Sequence, residues 1–281
     1  MQCSEIGIIG LGTMGRGIAE VVLAAGYRVT ALGRDDASCK SHIAEFSNSV
    51  HRLARLKRFP EDVANKLSDR LLPAGNLGEL DRCSLVIESI PENLALKQNL
   101  FAELDRICNP DTVLATNTSC LTVSQIGSYS QDKTRIVGIH FFNPVSSMKL
   151  VEIVKTKHTS QKVFDRACEF CQSLGKTVVN APDTPGFIVN RLLLSFLAEA
   201  MRLYELGVNA DDIDKAVTLG LNHPMGPFKL ADFIGLDTAL SIARSMHEQL
   251  DSPHFAPTEM LESLVKEGKL GRKSGRGFYN Y

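Results

Sequence analysis

The sequence predicts an α/β protein in two parts: a doubly wound, parallel-sheet domain over residues 1–184 and an all-α domain over 185–281. Three observations carry that prediction. Apolar, β-branched runs alternate with stretches of helical period, the pattern of strands joined by crossover helices. A glycine-rich turn separates the first such run from the first helix. Strand signals stop after Asp183-Thr184-Pro185-Gly186, and only helical periodicity follows.

The first run contains Ile6, Ile8 and Ile9, and Gly10, Gly12 and Gly15 follow in G-x-G-x-x-G spacing before a helix from Met14 to Leu23. Each glycine has a physical task in a dinucleotide turn. Gly10 permits the tight bend, Gly12 lets a pyrophosphate approach the backbone, and Gly15 lets helix and strand pack closely. With Thr13 and Met14 these residues are the expected phosphate contacts, because unpaired N–H groups and the macrodipole favour an anion at a helix start. The second strand is expected at Arg28–Leu32. The next position ordinarily carries the carboxylate that binds the ribose hydroxyls of NAD, but here Gly33-Arg34 stands there. A guanidinium binds a 2′-phosphate through charge-assisted hydrogen bonds, so this pair favours NADP over NAD. Asp35 or Asp36 would serve the ribose of NAD if the strand ended later.

From Asp36 to about Leu72 the pattern is helical and longer than an ordinary crossover. Its centre gathers Arg52, Arg55, Lys57 and Arg58 beside Ser49 and His51, while Val50, Leu53 and Leu56 recur on another face. Such a basic run is ordinarily a solvated helix face; near a nucleotide site it also suits an anionic substrate handle such as the phosphates of coenzyme A. Further strands are expected at Ser84–Ile90, Asp111–Ala115, Ile136–Phe142, Lys149–Lys155 and Thr177–Asn180. Ligands of such sheets lie beyond the carboxyl ends of the strands, and Ser119, His140 and Asn143 all fall there. From Phe187 to Tyr204 runs a helix apolar on nearly every side, which implies burial in a core or a subunit interface. Asn190, in its first half, needs a hydrogen-bond partner if buried.

The composition excludes several classes. A formal net charge of −1 with 22% charged residues lacks the basic field that nucleic-acid or membrane-surface binding requires. Seven scattered cysteines, Cys3, Cys39, Cys83, Cys108, Cys120, Cys168 and Cys171, point to reduced thiols and not to a disulfide framework. The Cys168-x-x-Cys171 pair sits in a helical pattern with no second pair or nearby histidine to complete a zinc site. No apolar stretch approaches the roughly 20 residues that span a bilayer, and the first strand begins almost at once, so a cytoplasmic protein is expected.

His140 and Glu152 fall on neighbouring strands. A carboxylate behind an imidazole fixes its tautomer and stabilises the imidazolium, as a general acid–base histidine requires; an isolated His–Glu pair is also a common structural feature. Ser119 and Asn190 are candidates for holding substrate oxygens.

The stretches GLGTMGRGIA, VIESIPENLALKQNLF, TNTSCL, GIHFFNPVSSMKLVEIV, DTPGFIVNRLL, HPMGPFKLADFIGLD and GRKSGRGFYNY occur in that order between Ile6 and Tyr281. Together they resemble the L-3-hydroxyacyl-CoA dehydrogenase family, in particular its stand-alone 3-hydroxybutyryl-CoA dehydrogenase branch. The resemblance implies a Rossmann domain with a helical-hairpin, CoA-binding insertion at about 36–72, followed by a helical dimerisation and substrate domain. It implies hydride transfer between NAD(P)H and C3 of a short 3-oxoacyl-CoA, with His140 as base and Glu152 orienting it. Ser119 and Asn190 would surround the substrate's hydroxyl and thioester. Glu92, Lys97, Ser119, Asn143 and Lys273, with Asn117, would lie along the cofactor. Ser49 and Arg52 fall in the CoA-binding insertion; a basic position of the family falls on Leu56, so Arg55 and Lys57 are the expected substitutes. The other departure is Gly33-Arg34, where the family usually has an acid. The 3-hydroxyisobutyrate and 6-phosphogluconate dehydrogenases open with similar glycine turns, but they use a lysine at about the place of Asn190 and have no His140–Glu152 pair. A non-catalytic descendant of a dehydrogenase is the remaining alternative, and it would ordinarily have lost the reacting groups retained here.

Overall fold

The computed structural model describes residues 5–34, 36–55 and 59–281. Its chain divides into two compact units, Met1–Asp183 and Thr184–Tyr281.

The first unit is built on an eight-stranded sheet. Its strands are β1 (Glu5–Ile9), β2 (Arg28–Leu32), β3 (Leu71–Ala74), β4 (Leu85–Glu88), β5 (Val113–Thr116), β6 (Ile136–Phe141), β7 (Leu150–Val154) and β8 (Thr177–Ala181). The order is β3-β2-β1-β4-β5-β6-β7-β8, so the winding reverses between β1 and β4, where an open α/β sheet forms its ligand crevice. The helices α1 (Thr13–Ala24), α2 (Asp36–Arg55), α3 (Glu61–Asn65), α4 (Leu67–Arg70), α5 (Leu94–Ile107), α6 (Val123–Ile126) and α7 (Gln161–Ser173) accompany it. Ile8, Ile87, Val137, Ile139 and Phe141 of the sheet join Ile18, Val22 and Leu23 of α1 in one buried cluster. Burying each such side chain contributes about 1.5–3 kcal/mol.

Two expectations need correction. The sheet is not wholly parallel, because β6 and β7 pair antiparallel. The connection between them, residues 142–149, contains no helix, and a parallel crossover needs a dozen residues or more. The helical stretch expected to reach Leu72 also ends earlier, and Leu71–Ala74 forms β3, parallel to β2. Pro73 obscures that strand in the sequence, yet β3 lies at the sheet edge, where a missing N–H is tolerated. Cys83, Cys108, Cys120, Cys168 and Cys171 are free thiols, and among the described residues no cluster of His, Cys, Asp and Glu fits a metal. Cys3, Asp35, Leu56, Lys57 and Arg58 lie outside the described residues. No helix among the described residues is long and apolar enough to cross a membrane.

The second unit is all-helical: α8 (Val189–Glu205), α9 (Ala210–Gly220), α10 (Pro227–Ile234), α11 (Leu236–Leu250) and α12 (Glu259–Lys266). Leu197, Met201, Phe228, Leu236 and Leu240 form its core. Asp232 of α10 holds the C-terminal segment, accepting hydrogen bonds from Phe278 N, Tyr279 N and Tyr281 Oη. That segment passes so close that a Cβ at Gly277 would meet Asp232 Oδ1 at 1.9 Å. The helix expected from Phe187 starts at Val189, because Phe187 has φ 49, a left-handed conformation that no α-helix includes. Nor is α8 buried all round in the single chain: Leu192 is 66% exposed.

Candidate active site

The turn from Gly10 to Gly15 shows why these positions carry no side chain. Gly10 has φ 91 and a Cβ there would lie 2.5 Å from Ser89 O; a Cβ at Gly15 would meet Gly10 O at 1.8 Å. Both clashes are with backbone and cannot be relieved by a rotamer change. Around Gly12, by contrast, nothing lies within 4 Å of an added Cβ. Gly12 is the N-cap of α1, followed by Thr13 and Met14 in its first turn. The combination is an open, uncovered backbone at a helix start beside the β1/β4 crevice, which fits a pyrophosphate. At the end of β2, Gly33 and the exposed Arg34 follow Leu32 directly.

Beyond β4 and β5 lies a buried polar network. The Lys97 ammonium, on α5, reaches Glu88 Oε1 at 2.5 Å and Glu92 Oε2 at 3.4 Å. Glu88 closes β4, and its carboxylate also accepts from Ile90 N at 2.7 Å and Thr116 Oγ1 at 2.7 Å. Glu92 Oε1 gathers Thr118 Oγ1, Ser119 N and Cys120 N at 2.5, 3.0 and 3.1 Å. Burial alone would raise the Glu92 pKa, but Lys97 and those donors outweigh it and hold the carboxyl below its ordinary value. Lys97 is fully buried, so it acts on the crevice through Glu92, which in turn shapes the backbone carrying Ser119. Glu88 was not among the expected site residues. A carboxylate inside the apolar run SLVIESI was the available signal, since a buried acid demands a partner.

His140 and Glu152 sit directly opposite each other across the antiparallel β6–β7 pair. Cross-strand partners share one face of a sheet, and His140 Nδ1 lies 2.8 Å from Glu152 Oε2. Both residues are buried, His140 at 4% and Glu152 at 0% exposure. A carboxylate accepts, so Nδ1 carries the hydrogen and Nε2 faces away from Glu152. The Phe142 ring packs against the imidazole with centroids 4.5 Å apart. Asn117, just past β5, accepts Phe141 N at 2.9 Å and so ties the neighbouring strand end to the residue after His140. The strand ends thus bring together Ser119, Asn117, His140 and, at the start of the β6–β7 connection, the exposed Asn143.

A cleft of about 260 Å³ opens between α1, α2 and residues 143–146, lined by Arg16, Glu20, Glu45, Ser49, Asn143 and Val145 among others. Arg16 and Glu45 form an exposed ion pair across it at 3.3 Å. Burial raises the Glu20 pKa. Of the expected CoA contacts, Ser49 lines this cleft, while Arg52 and Arg55 are exposed farther along α2. Asn190 and Lys273 belong to the second unit. Asn190 is the second residue of α8, and Lys273 is paired with Asp237 at the start of α11. Burial would raise the Asp237 carboxyl, but Lys273 and the Thr238 N–H prevail and lower it.

The family model described as the NAD binding domain of 3-hydroxyacyl-CoA dehydrogenase matches residues 5–184, and that described as its C-terminal domain matches 186–281. A 3-hydroxybutyryl-CoA dehydrogenase of Mycobacterium tuberculosis is 41% identical, the alignment covering 99% of this chain and 98% of the relative. The mitochondrial hydroxyacyl-coenzyme A dehydrogenase of Rattus norvegicus is 42% identical over 99% of this chain and 91% of its own. Among solved structures, (S)-3-hydroxybutyryl-CoA dehydrogenase from Ralstonia eutropha superimposes with a TM-score of 0.90 at 33% identity, covering 100% of this chain and 99% of that one.

Proposed function

The chain belongs to the 3-hydroxyacyl-CoA dehydrogenase family, and from that premise we propose that it interconverts short-chain 3-oxoacyl-CoA and (S)-3-hydroxyacyl-CoA, acetoacetyl-CoA being the substrate reduced. The observation that carries this reading is the buried His140–Glu152 pair at the ends of the sheet strands. Bound along the glycine turn, a nicotinamide dinucleotide supplies or accepts the hydride at C3. Glu152 accepts Nδ1–H, holds the imidazole in one tautomer and stabilises its protonated form. His140 Nε2 then gives a proton to the developing alkoxide in reduction and removes it in oxidation. Ser119 and Asn190 orient the hydroxyl and thioester oxygens. Gly10, Gly12, Thr13, Met14, Gly15, Glu92, Lys97, Asn117, Asn143 and Lys273 form the cofactor set, Lys97 acting through Glu92. Ser49, Arg52 and Arg55, with Lys57, are the assigned CoA contacts.

Arg34 is assigned the choice of cofactor, with NADP preferred. A charge-assisted hydrogen bond to a phosphate contributes about 1.5–3 kcal/mol, so Arg34→Ala is expected to reduce the NADPH/NADH ratio of kcat/KM by roughly ten- to a hundredfold in acetoacetyl-CoA reduction. Preference for NADH, unchanged by the mutation, would make Arg34 a bystander. An absence of turnover with either cofactor would overturn the reaction itself.

The second unit is assigned the homodimer contact. Leu192, Leu206, Leu219 and Leu221 are 66%, 80%, 84% and 63% exposed, an apolar surface that a partner copy would cover. Sedimentation at micromolar concentration is expected to give twice the mass of one chain, and a monomer would refute the assignment. The free thiols at Cys83, Cys108, Cys120, Cys168 and Cys171 suit a reducing compartment, in keeping with a cytoplasmic enzyme.

A further inference from the structure

Lys176 stands between α7 and β8 and belongs to none of the groups assigned above. Gly175, with φ 72, makes the turn before it, and Thr177 N then donates to Lys149 O at 2.7 Å to start β8 beside β7. The Lys176 side chain does not run out to solvent. It is 9% exposed, and its ammonium donates to the carbonyl oxygens of Val145 and of Met148, the latter at 2.8 Å. Burial lowers its pKa from the ordinary lysine value, with the Cys171 thiol on α7 pulling the other way.

Those two carbonyls belong to a compact turn. Pro144 O accepts from both Ser147 N and Met148 N, at 3.1 and 3.0 Å. The opposite side of the turn faces the nucleotide helix: Val145 is buried, and a Cβ on Gly17 of α1 would meet Val145 Cγ2 at 2.9 Å. Residues 143–146 form one wall of the cleft whose other walls are α1 and α2. The wall is therefore held through its carbonyls by the Lys176 ammonium and packed through Val145 against α1 at Gly17. Carbonyl oxygens facing an ammonium make short, strong hydrogen bonds in a low-dielectric setting. A neutral side chain of the same length would leave both oxygens without that donor.

We propose that Lys176 is a positioning residue for the cleft: its ammonium fastens the Pro144–Met148 turn against α1 and thereby sets the width of the space that takes the acyl-CoA. The occupant rests on the function proposed above; the fastening does not. His140 is held by its own strand and by Glu152, and the turn by Lys176.

Steady-state kinetics on Lys176→Met and Lys176→Arg, with acetoacetyl-CoA varied at saturating cofactor, separates the possibilities. Lys176→Met is expected to raise KM for acetoacetyl-CoA about tenfold while kcat stays within about twofold of wild type. Lys176→Arg, which keeps a cation with several donors, is expected to recover most of that loss. A lowered Tm with KM unchanged would make Lys176 a purely structural residue and overturn the proposal, as would a fall in kcat at constant KM. Should Lys176→Met fail to fold, Gly17→Ala displaces the same wall from its other side, and an unaltered KM there refutes the role. Hydrogen exchange at the Ser147 and Met148 amides is independent of any substrate assignment. Protection lost in Lys176→Met and kept in Lys176→Arg is the expected result, and protection in Lys176→Met equal to that of wild type would remove the fastening itself.

Discussion

Replacing His140 with Gln is expected to lower kcat for acetoacetyl-CoA reduction by about a thousandfold, within the range that general acid–base catalysis contributes. Cofactor affinity and thermal stability should stay near wild type. The reasoning is local. Glu152 is fully buried, and a Gln amide at position 140 still offers it a donor, so no buried carboxylate is stranded. What is lost is a group able to exchange a proton with the substrate oxygen. Glu152→Gln should cost less, because the imidazole remains and only its orientation and the stabilisation of its protonated form suffer. Stopped-flow or steady-state reduction, paired with a cofactor titration, reads both quantities. A His140→Gln enzyme with near-normal turnover would move the proton-transfer role to another group.

The second large effect is on stability. Lys97→Met is expected to destabilise the protein by about 3–5 kcal/mol, the penalty for removing one partner of a buried ion pair. Glu88 would keep its donors from Ile90 N and Thr116 Oγ1 but lose its cation in a site with no exposure to water. The double change Glu88→Gln with Lys97→Met should recover much of the loss, since a neutral amide needs no counter-charge. Urea titration followed by far-UV circular dichroism compares both variants with wild type. Equal stabilities of the single and double variants would show that Glu88 does not depend on Lys97. The same pair also reaches the candidate site, because Lys97 neutralises Glu92, and Glu92 organises the Thr118–Cys120 backbone.

Much of this architecture was legible before any coordinates. The Ile-rich first strand, the glycine spacing and the helix after it are determined by contacts within about ten residues, so β1, the turn and α1 fall where the pattern puts them. Buried runs such as IVGIHFF and KLVEIV announce strands because both faces of a covered sheet are apolar. β3 was not legible, for the opposite reason: four residues containing a proline have no period of their own and become a strand only because β2 offers an edge. Glu88 and Lys97 were legible only in part. Their residue types in an apolar setting signal a need for partners, but nothing local says that they satisfy each other.

The sequence by itself determined the strand–turn–helix start, the alternation that makes a doubly wound sheet, the change to an all-helical second unit, and which residues are candidates for acid–base chemistry. All of these follow from short-range periodicity and residue type. Only the tertiary structure decided that β7 runs antiparallel to β6, which places Glu152 opposite His140 at 2.8 Å. It alone showed that the Lys97 ammonium is buried under Glu88 and Glu92, and that Lys176 grips the turn beyond Asn143. Register, burial and the partner of a long polar side chain depend on which distant segments pack together, and no local pattern encodes that.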